Sequence, residues 1–320
     1  MQKDIADIAG VHLGKAGDGT AVKPYVTPEK VDPSLLVAVP RILNRTRYGI
    51  PEEGFFTGAD VWNAYEFSTL LPNGFPVSGL LKLVYNSETP NIVESKSLKL
   101  YLNSYNLDIT MPDMKSGSFY DLENRISNDV SKCVGQRVLV KLVTPISSFR
   151  KIELVSPFTC SDKFSLLERM CFPQIVSEMV FTHENNAPEL LKTVAKQPLN
   201  VDYLTSHSLR SNCRVTNQPD WGDVFIIIKG SVSLTPQSLL QYIISMRKEN
   251  HFHEEICEMI YKSIWDLISK DNEPELLVAC LYTRRGGIDI NPVRASSKKF
   301  LEKNVLMIDH TVLCEKTLRQ

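Results

Sequence analysis

No run of 18 apolar residues occurs in this chain, and no Gly-x-Gly-x-x-Gly or P-loop string follows a strand-like segment. The first absence argues against a membrane-spanning helix. The second excludes the two commonest glycine-rich phosphate loops, so any nucleotide cofactor must be held in another way. Net charge is nearly absent as well, because 36 Lys and Arg offset 37 Asp and Glu to a formal charge of −1. No global field then favours a polyanion such as duplex nucleic acid, and an anionic ligand must be met by a local cluster. The opening Met1-Gln2-Lys3-Asp4-Ile5-Ala6-Asp7 has acidic residues and no apolar stretch like that of a signal peptide, so a soluble, cytoplasmic protein is expected. Paired cysteines are missing too. Cys133, Cys160, Cys171, Cys213, Cys257, Cys280 and Cys314 form an odd, widely spaced set that fits neither a disulfide framework nor zinc-ligand spacing.

What is present is enough for a large core: 320 residues with 43% hydrophobic content suggest two domains or two halves of one. Residues 1–50, broken by Pro24, Pro28, Pro33 and Pro40, read as an extended arm. Residues 51–145 read as a first half. Its strands are expected at Val61–Phe67, at Val77–Tyr85 after the turn Pro72-Asn73-Gly74, at Leu98–Leu102 and at Val138–Val143. Between the last two lies a helix capped by Ser116 or Ser118, with Leu122, Ile126, Val130 and Cys133 on one face. Residues 146–200 read as a connecting insert with helical pieces at Phe164–Met170 and Ala187–Ala195. Residues 201–320 form a second half: strands at Ser206–Val215 and Val224–Lys229, a helix from Pro236 to about Glu249, a helix from near His253 and a strand at Glu275–Tyr282. The overall class is α+β with two similar halves, without a residue-by-residue repeat.

Four strings carry chemistry. In Arg210-Ser211-Asn212-Cys213-Arg214, followed by Gln218-Pro219-Asp220-Trp221-Gly222, a thiol precedes a carboxylate by seven residues across a proline turn. A thiolate nucleophile needs nearby cationic or general-base groups, for which Arg210 and Arg214 qualify; an ordinary free thiol is the plainer alternative. Glu94-Ser95-Lys96-Ser97-Leu98-Lys99 brings a carboxylate, hydroxyls and two cations to what reads as a strand entrance. These are phosphate donors, or simply a lysine-protected sheet edge. In His251-Phe252-His253-Glu254-Glu255 a proton-transferring His adjoins a carboxylate that can accept paired N–H donors; acids favouring a helix N-terminus would look the same. Arg284-Arg285-Gly286-Gly287 offers cations and close backbone approach, or a glycine turn with solvated arginines.

Taken together, these strings resemble the QueF family, the NADPH-dependent 7-cyano-7-deazaguanine reductases of the queuosine pathway that supplies a tRNA modification. The Glu-Ser-Lys-Ser string precedes the Cys string by half a chain, as in the family's long branch, and Leu13-Gly14-Lys15 and Pro40-Arg41-x-Leu43-Asn44-Arg45 add to the likeness. The resemblance implies a tunnelling fold of two tandem halves, each with an antiparallel sheet and helices on one face, associating through their sheets, with a homodimer expected. It implies that Cys213 attacks the nitrile to give a thioimidate, that Asp220 donates a proton to the nitrile nitrogen, and that His253 assists proton transfer. Glu94 and Glu254 would bind the base, with Ser95 and Phe252 lining the pocket. Lys96, Ser97, Lys99, Arg284, Arg285 and Gly286 would meet the phosphates of NADPH. Neither a metal nor direct nucleic-acid binding is implied. Two other readings keep the same strings: a non-reducing, amidine-forming relative that captures the same nitrile, and a non-catalytic purine-binding module.

Overall fold

The computed structural model describes residues 28–72, 76–110, 119–144, 163–172, 174, 178–197, 200–270 and 273–305. A 3₁₀ turn at Pro33–Leu35 leads into β1 (Ala38–Pro40) and α1 (Ile42–Arg47). Two long strands follow, β2 (Thr57–Leu70) and β3 (Pro76–Asn86), then β4 (Asn91–Val93), α2 (Ser95–Asn103), α3 (Tyr120–Val134) and β5 (Val138–Val143). After β6 (Ser165–Leu166) and α4 (Leu167–Met170) the order returns. A second 3₁₀ turn, Pro188–Leu190, precedes β7 (Thr193–Ala195), β8 (Val201–Asn212), β9 (Pro219–Lys229), β10 (Val232–Leu234), α5 (Pro236–Ser245), α6 (His253–Ile268) and β11 (Glu275–Tyr282). Last come β12 (Ile288–Ala295) and α7 (Lys298–Asn304). The repetition extends to detail: β1 pairs with β4 as β7 pairs with β10, and both long hairpins bulge at matching places, Ala64/Phe67 and Ser206/Leu209.

The halves do not keep separate sheets. One eight-stranded sheet runs β5-β3-β2-β12-β11-β9-β8-β6, antiparallel except where β6 meets β8. Its seam is the ladder from Ile288 opposite Ala64 to Ala295 opposite Thr57, so the first long strand of one half meets the last strand of the other. Period-two alternation decides what each face buries. Ile226 and Ile228 join Leu239, Ile243, Ile256 and Ile260 of α5 and α6. Ile227 belongs to the opposite face, with Leu277, Val293, Val61 and the α7 residues Phe300 and Leu301. Strands covered on both faces read as unbroken apolar runs, which is why Leu276–Tyr282 shows little alternation.

A buried ionic cluster crosses the same seam. Arg294 on β12 donates to Asp60 on β2 (2.8 Å) and to Glu258 on α6 (2.9 Å). Arg45 on α1 donates to both Glu258 oxygens (2.8 and 3.0 Å), and Arg41 donates to Asp60. The proline-arginine string of the arm therefore serves as cation supply for this cluster.

Three expectations are corrected. Leu98–Leu102 is not a strand but the middle of α2, since Leu98, Tyr101, Leu102 and Tyr105 at i, i+3, i+4 and i+7 are all buried. The Glu94 string accordingly opens a helix and does not guard a sheet edge. Strand β12 went unread because it contains Pro292, yet the ladder to β11 spans only Val293–Ala295 and stops at that proline. Ala187–Ala195 is a 3₁₀ turn followed by a strand, and Phe164–Met170 a two-residue strand followed by one helical turn. Ser116, Ser118, Asn73, Gly74, the arm before residue 28 and residues 146–162 of the insert lie outside the described residues. No described helix is long and apolar enough to cross a membrane.

Candidate active site

The hairpin joining β8 to β9 turns through Cys213–Gln218. Cys213 N donates to Gln218 O (2.8 Å), and Asn217 N donates to Cys213 O (2.9 Å). Asn217 takes a left-handed φ of 54°, which Asn tolerates better than most residues. This tight closure holds Cys213 at the strand end, partly exposed, with Asp220 on the neighbouring strand opposite Ser211.

Both residues line one narrow cleft, whose empty space, open solvent included, is about 640 Å³. The second half contributes Cys213, Asp220, Phe252, His253, Arg285 and Gly286, and the first half contributes Glu94, Ser95, Lys96 and Lys99. Strings separated by more than a hundred residues thus meet at one place, because α2 opens beside the β2–β12 seam. Ile288 and Ile290 of β12, with Val215, supply an apolar wall.

Asp220 is nearly buried. Arg285 Nη1 donates to its Oδ1, and His253 Nε2 lies 3.4 Å from its Oδ2. Burial alone would raise its pKa, but His253 and Arg285 together hold it below the ordinary carboxylate value. His253 is in turn stacked face to face on Tyr282, with ring centroids 3.7 Å apart and planes 5° from parallel, which fixes the imidazole. Its Nδ1 is buried and has no hydrogen-bond partner among the described residues. His251, also in the cleft wall, is clamped by Glu249 on Nε2 (2.9 Å) and Glu255 on Nδ1 (3.0 Å). Burial opposes its charged form, but the two carboxylates outweigh burial and raise its pKa.

The other side of the cleft is a helix N-terminus. Glu94 caps α2, accepting from Lys96 N (2.9 Å) and Ser97 N (2.7 Å), and burial raises its pKa. Lys96 and Lys99 reach toward the Gly286-Gly287 turn, where both glycines have positive φ (57° and 81°) in the two-residue hairpin between β11 and β12. A Cβ on Gly286 would stand 3.3 Å from Lys99 Nζ and 3.5 Å from Lys96 Nζ. The missing side chain leaves a cradle rimmed by Lys96, Lys99 and Arg285, suited to a cofactor phosphate.

Other residues named from the sequence stand apart. Ser97 is fully buried; its hydroxyl donates to Glu94 O (2.7 Å) and accepts from Val37 N (3.0 Å). Arg284 lies over the Tyr65 ring, 4.4 Å from its centroid. Glu254 is buried behind the cleft wall with no hydrogen-bond partner for Oε1 among the described residues, its pKa pushed up to about 8 by burial and by Asp60. Arg210 and Arg214 are engaged elsewhere, by Arg247 O and by Glu255 (2.7 Å). Sequence reading missed His251 and Tyr282 as parts of the site, and no spacing signal could have placed Tyr282 under His253. Among the described residues, no group of three or more His, Cys, Asp and Glu is placed to hold a metal ion.

Known proteins match along most of the same residues, with Cys213 between the two segments that family models cover. A family model described as the N-terminal part of nitrile reductase, 7-cyano-7-deazaguanine reductase, matches residues 27–142, and one described as QueF-like protein matches 219–300. A protein of Polaromonas naphthalenivorans named NADPH-dependent 7-cyano-7-deazaguanine reductase is 36% identical over 285 residues, covering 87% of this chain and 93% of its own. The chain belongs to the QueF family. Similarly named relatives from another Polaromonas and from Cupriavidus necator are each 38% identical, over 87% and 86% of this chain and 93% and 91% of theirs. Both QueF segments contain cleft residues: the first carries Glu94 to Lys99, and the second carries Asp220, His253 and Arg285.

Proposed function

We propose that this QueF-family chain reduces the nitrile of 7-cyano-7-deazaguanine to the aminomethyl group with two NADPH, in the cytoplasm and on the route to queuosine in tRNA. The observation that carries the reading is the meeting of Cys213, Asp220 and His253 with the Glu94–Lys99 helix start in one cleft. Nitriles accept hydride poorly, and covalent capture improves them. Cys213 Sγ bonds to the nitrile carbon, one π bond opens, and Asp220 passes the thiol's proton to nitrogen, giving a thioimidate. Glu94 at the cleft and Glu254, reached as the ligand opens the wall in front of it, hold the N–H edge of the base, with Ser95 and Phe252 against the ring. The orphaned Glu254 Oε1 and His253 Nδ1 fit such a ligand. Lys96, Lys99, Arg285 and Gly286 hold the cofactor phosphates. Bound there, NADPH supplies a hydride for each of the two reductions. His253 moves protons as Cys213 leaves to give the imine, and again as the amine forms. The repeated element order supports the tunnelling-fold assignment with halves at 51–145 and 201–320, and we read the chain as a homodimer.

Purified protein should oxidise two NADPH per nitrile. An adduct without NADPH oxidation would instead indicate the amidine-forming chemistry, and no adduct at all a binding module. Cys213→Ala should abolish the adduct seen by intact mass, and turnover by that variant would overturn the mechanism.

A further inference from the structure

The cationic cradle and the proton donor share one residue. Arg285 Nη1 donates to Asp220, and Arg285 Nη2 donates to Gln218 Oε1 (2.9 Å), so the guanidinium grips the β9 flank of the nucleophile's own hairpin at two points. With His253 Nε2 3.4 Å from the other oxygen, both Asp220 oxygens have a nitrogen neighbour. In that arrangement the carboxyl has no proton to give a nitrile nitrogen. Arg285 also belongs to the turn beneath which Lys96 and Lys99 converge. Its side chain is 27% exposed against 3% for Asp220, which makes the arginine the partner free to swing.

We propose that Arg285 is an interlock: with the phosphate cradle empty it clamps Asp220, and an anionic cofactor phosphate draws it off and frees Asp220 to act as acid. The chemistry of the exchange is direct. A phosphate offers a guanidinium the same paired oxygens as a carboxylate, with more charge, and it arrives beside two further lysines. Once Arg285 leaves, the groups facing Asp220 are His253 from α6 and Tyr282 from β11, and the Asp220–His253 pair can retain the proton released by Cys213. That proton then goes to the nitrile nitrogen as the S–C bond forms, so the addition balances without an outside oxidant or reductant. Arg285 acts here as a positioning residue, and cofactor binding and nitrile capture are coupled before any hydride moves.

This inference rests on the proposed nitrile capture. It is tested by the rate of Cys213 adduct formation across pH, with and without adenosine 2′,5′-bisphosphate, a phosphate probe that carries no hydride. In the wild type the probe should speed capture about tenfold, part of the roughly 10²–10⁴-fold that a placed general acid contributes. Arg285→Gln should capture at the probe-saturated rate without the probe, ignore the probe, and keep its activity to higher pH than the free wild type. Arg285→Lys should restore part of the probe response. Slower capture by Arg285→Gln, or an undiminished probe response in it, would overturn the interlock alone. A wild type that forms no adduct under any condition would remove the capture chemistry beneath it.

Discussion

Glu254 and Glu258 lie one helical turn apart on α6, both buried, with opposite electrostatics. Burial would raise Glu258, but Arg294, Arg45 and Arg41 hold it low. Glu254 has burial and the nearby Asp60 against it and rises to about 8, with Arg41 and Arg294 only partly offsetting them. A carboxyl with a raised folded value contributes stability that is fully present below its ordinary 4.5 and is lost as pH climbs through about 8. Glu254→Gln should therefore flatten the fall in melting temperature between about pH 5 and pH 8. Because an N–H edge needs the ionised form, ligand binding near neutral pH should release a proton. Calorimetry in buffers of different ionisation enthalpy would show the release, and Glu254→Gln should remove it. The identity of Glu254 was legible in Phe252-His253-Glu254, but its environment was not, because Asp60 and Arg41 come from the other half of the chain.

At the level of elements, α2 shows why local reading failed and what replaced it. Nine residues with Leu at 98, 100 and 102 alternate like a strand, and only burial at Leu98, Tyr101, Leu102 and Tyr105 reveals the helix. Its counterpart α5 explains Ser97. Ser238 occupies the same third position, donating to Thr235 O (3.0 Å) and accepting from Lys192 N (3.0 Å), just as Ser97 engages Glu94 O and Val37 N. A hydroxyl that repeats in both halves serves the fold. Ser97→Ala and Ser238→Ala should each cost about 0.5–1.5 kcal/mol by removing the acceptor of a partly buried backbone N–H. Ser97→Ala should leave the KM for NADPH unchanged while Lys96→Ala raises it, and a raised KM for Ser97→Ala would return that residue to the cofactor.

For the whole molecule, the three longest helices, α3, α5 and α6, were legible from spacing and turn residues. The continuous sheet was not, because its joining strand contains Pro292 and its ionic cluster draws on residues 41, 45, 60, 258 and 294. The seam leaves no room at Gly58, where a Cβ would fall 2.0 Å from Val293 O. Gly58→Val should separate β2 from β12. Loss of a cooperative melt and of cofactor binding together would be the sign, since Lys96 and Lys99 of the cradle lie across that ladder from Arg285 and the nucleophile.

The repeated order also has a numerical consequence. Where α2 begins Glu94-Ser95-Lys96 and continues to Lys99, α5 begins Thr235-Pro236-Gln237 and has Leu240 at the matching place. The second helix start kept the fold and carries none of the charge. On the proposed function, each chain then has one charged helix start at its cleft and one uncharged counterpart, so in any assembly the number of nitriles held should equal the number of chains, not the number of halves.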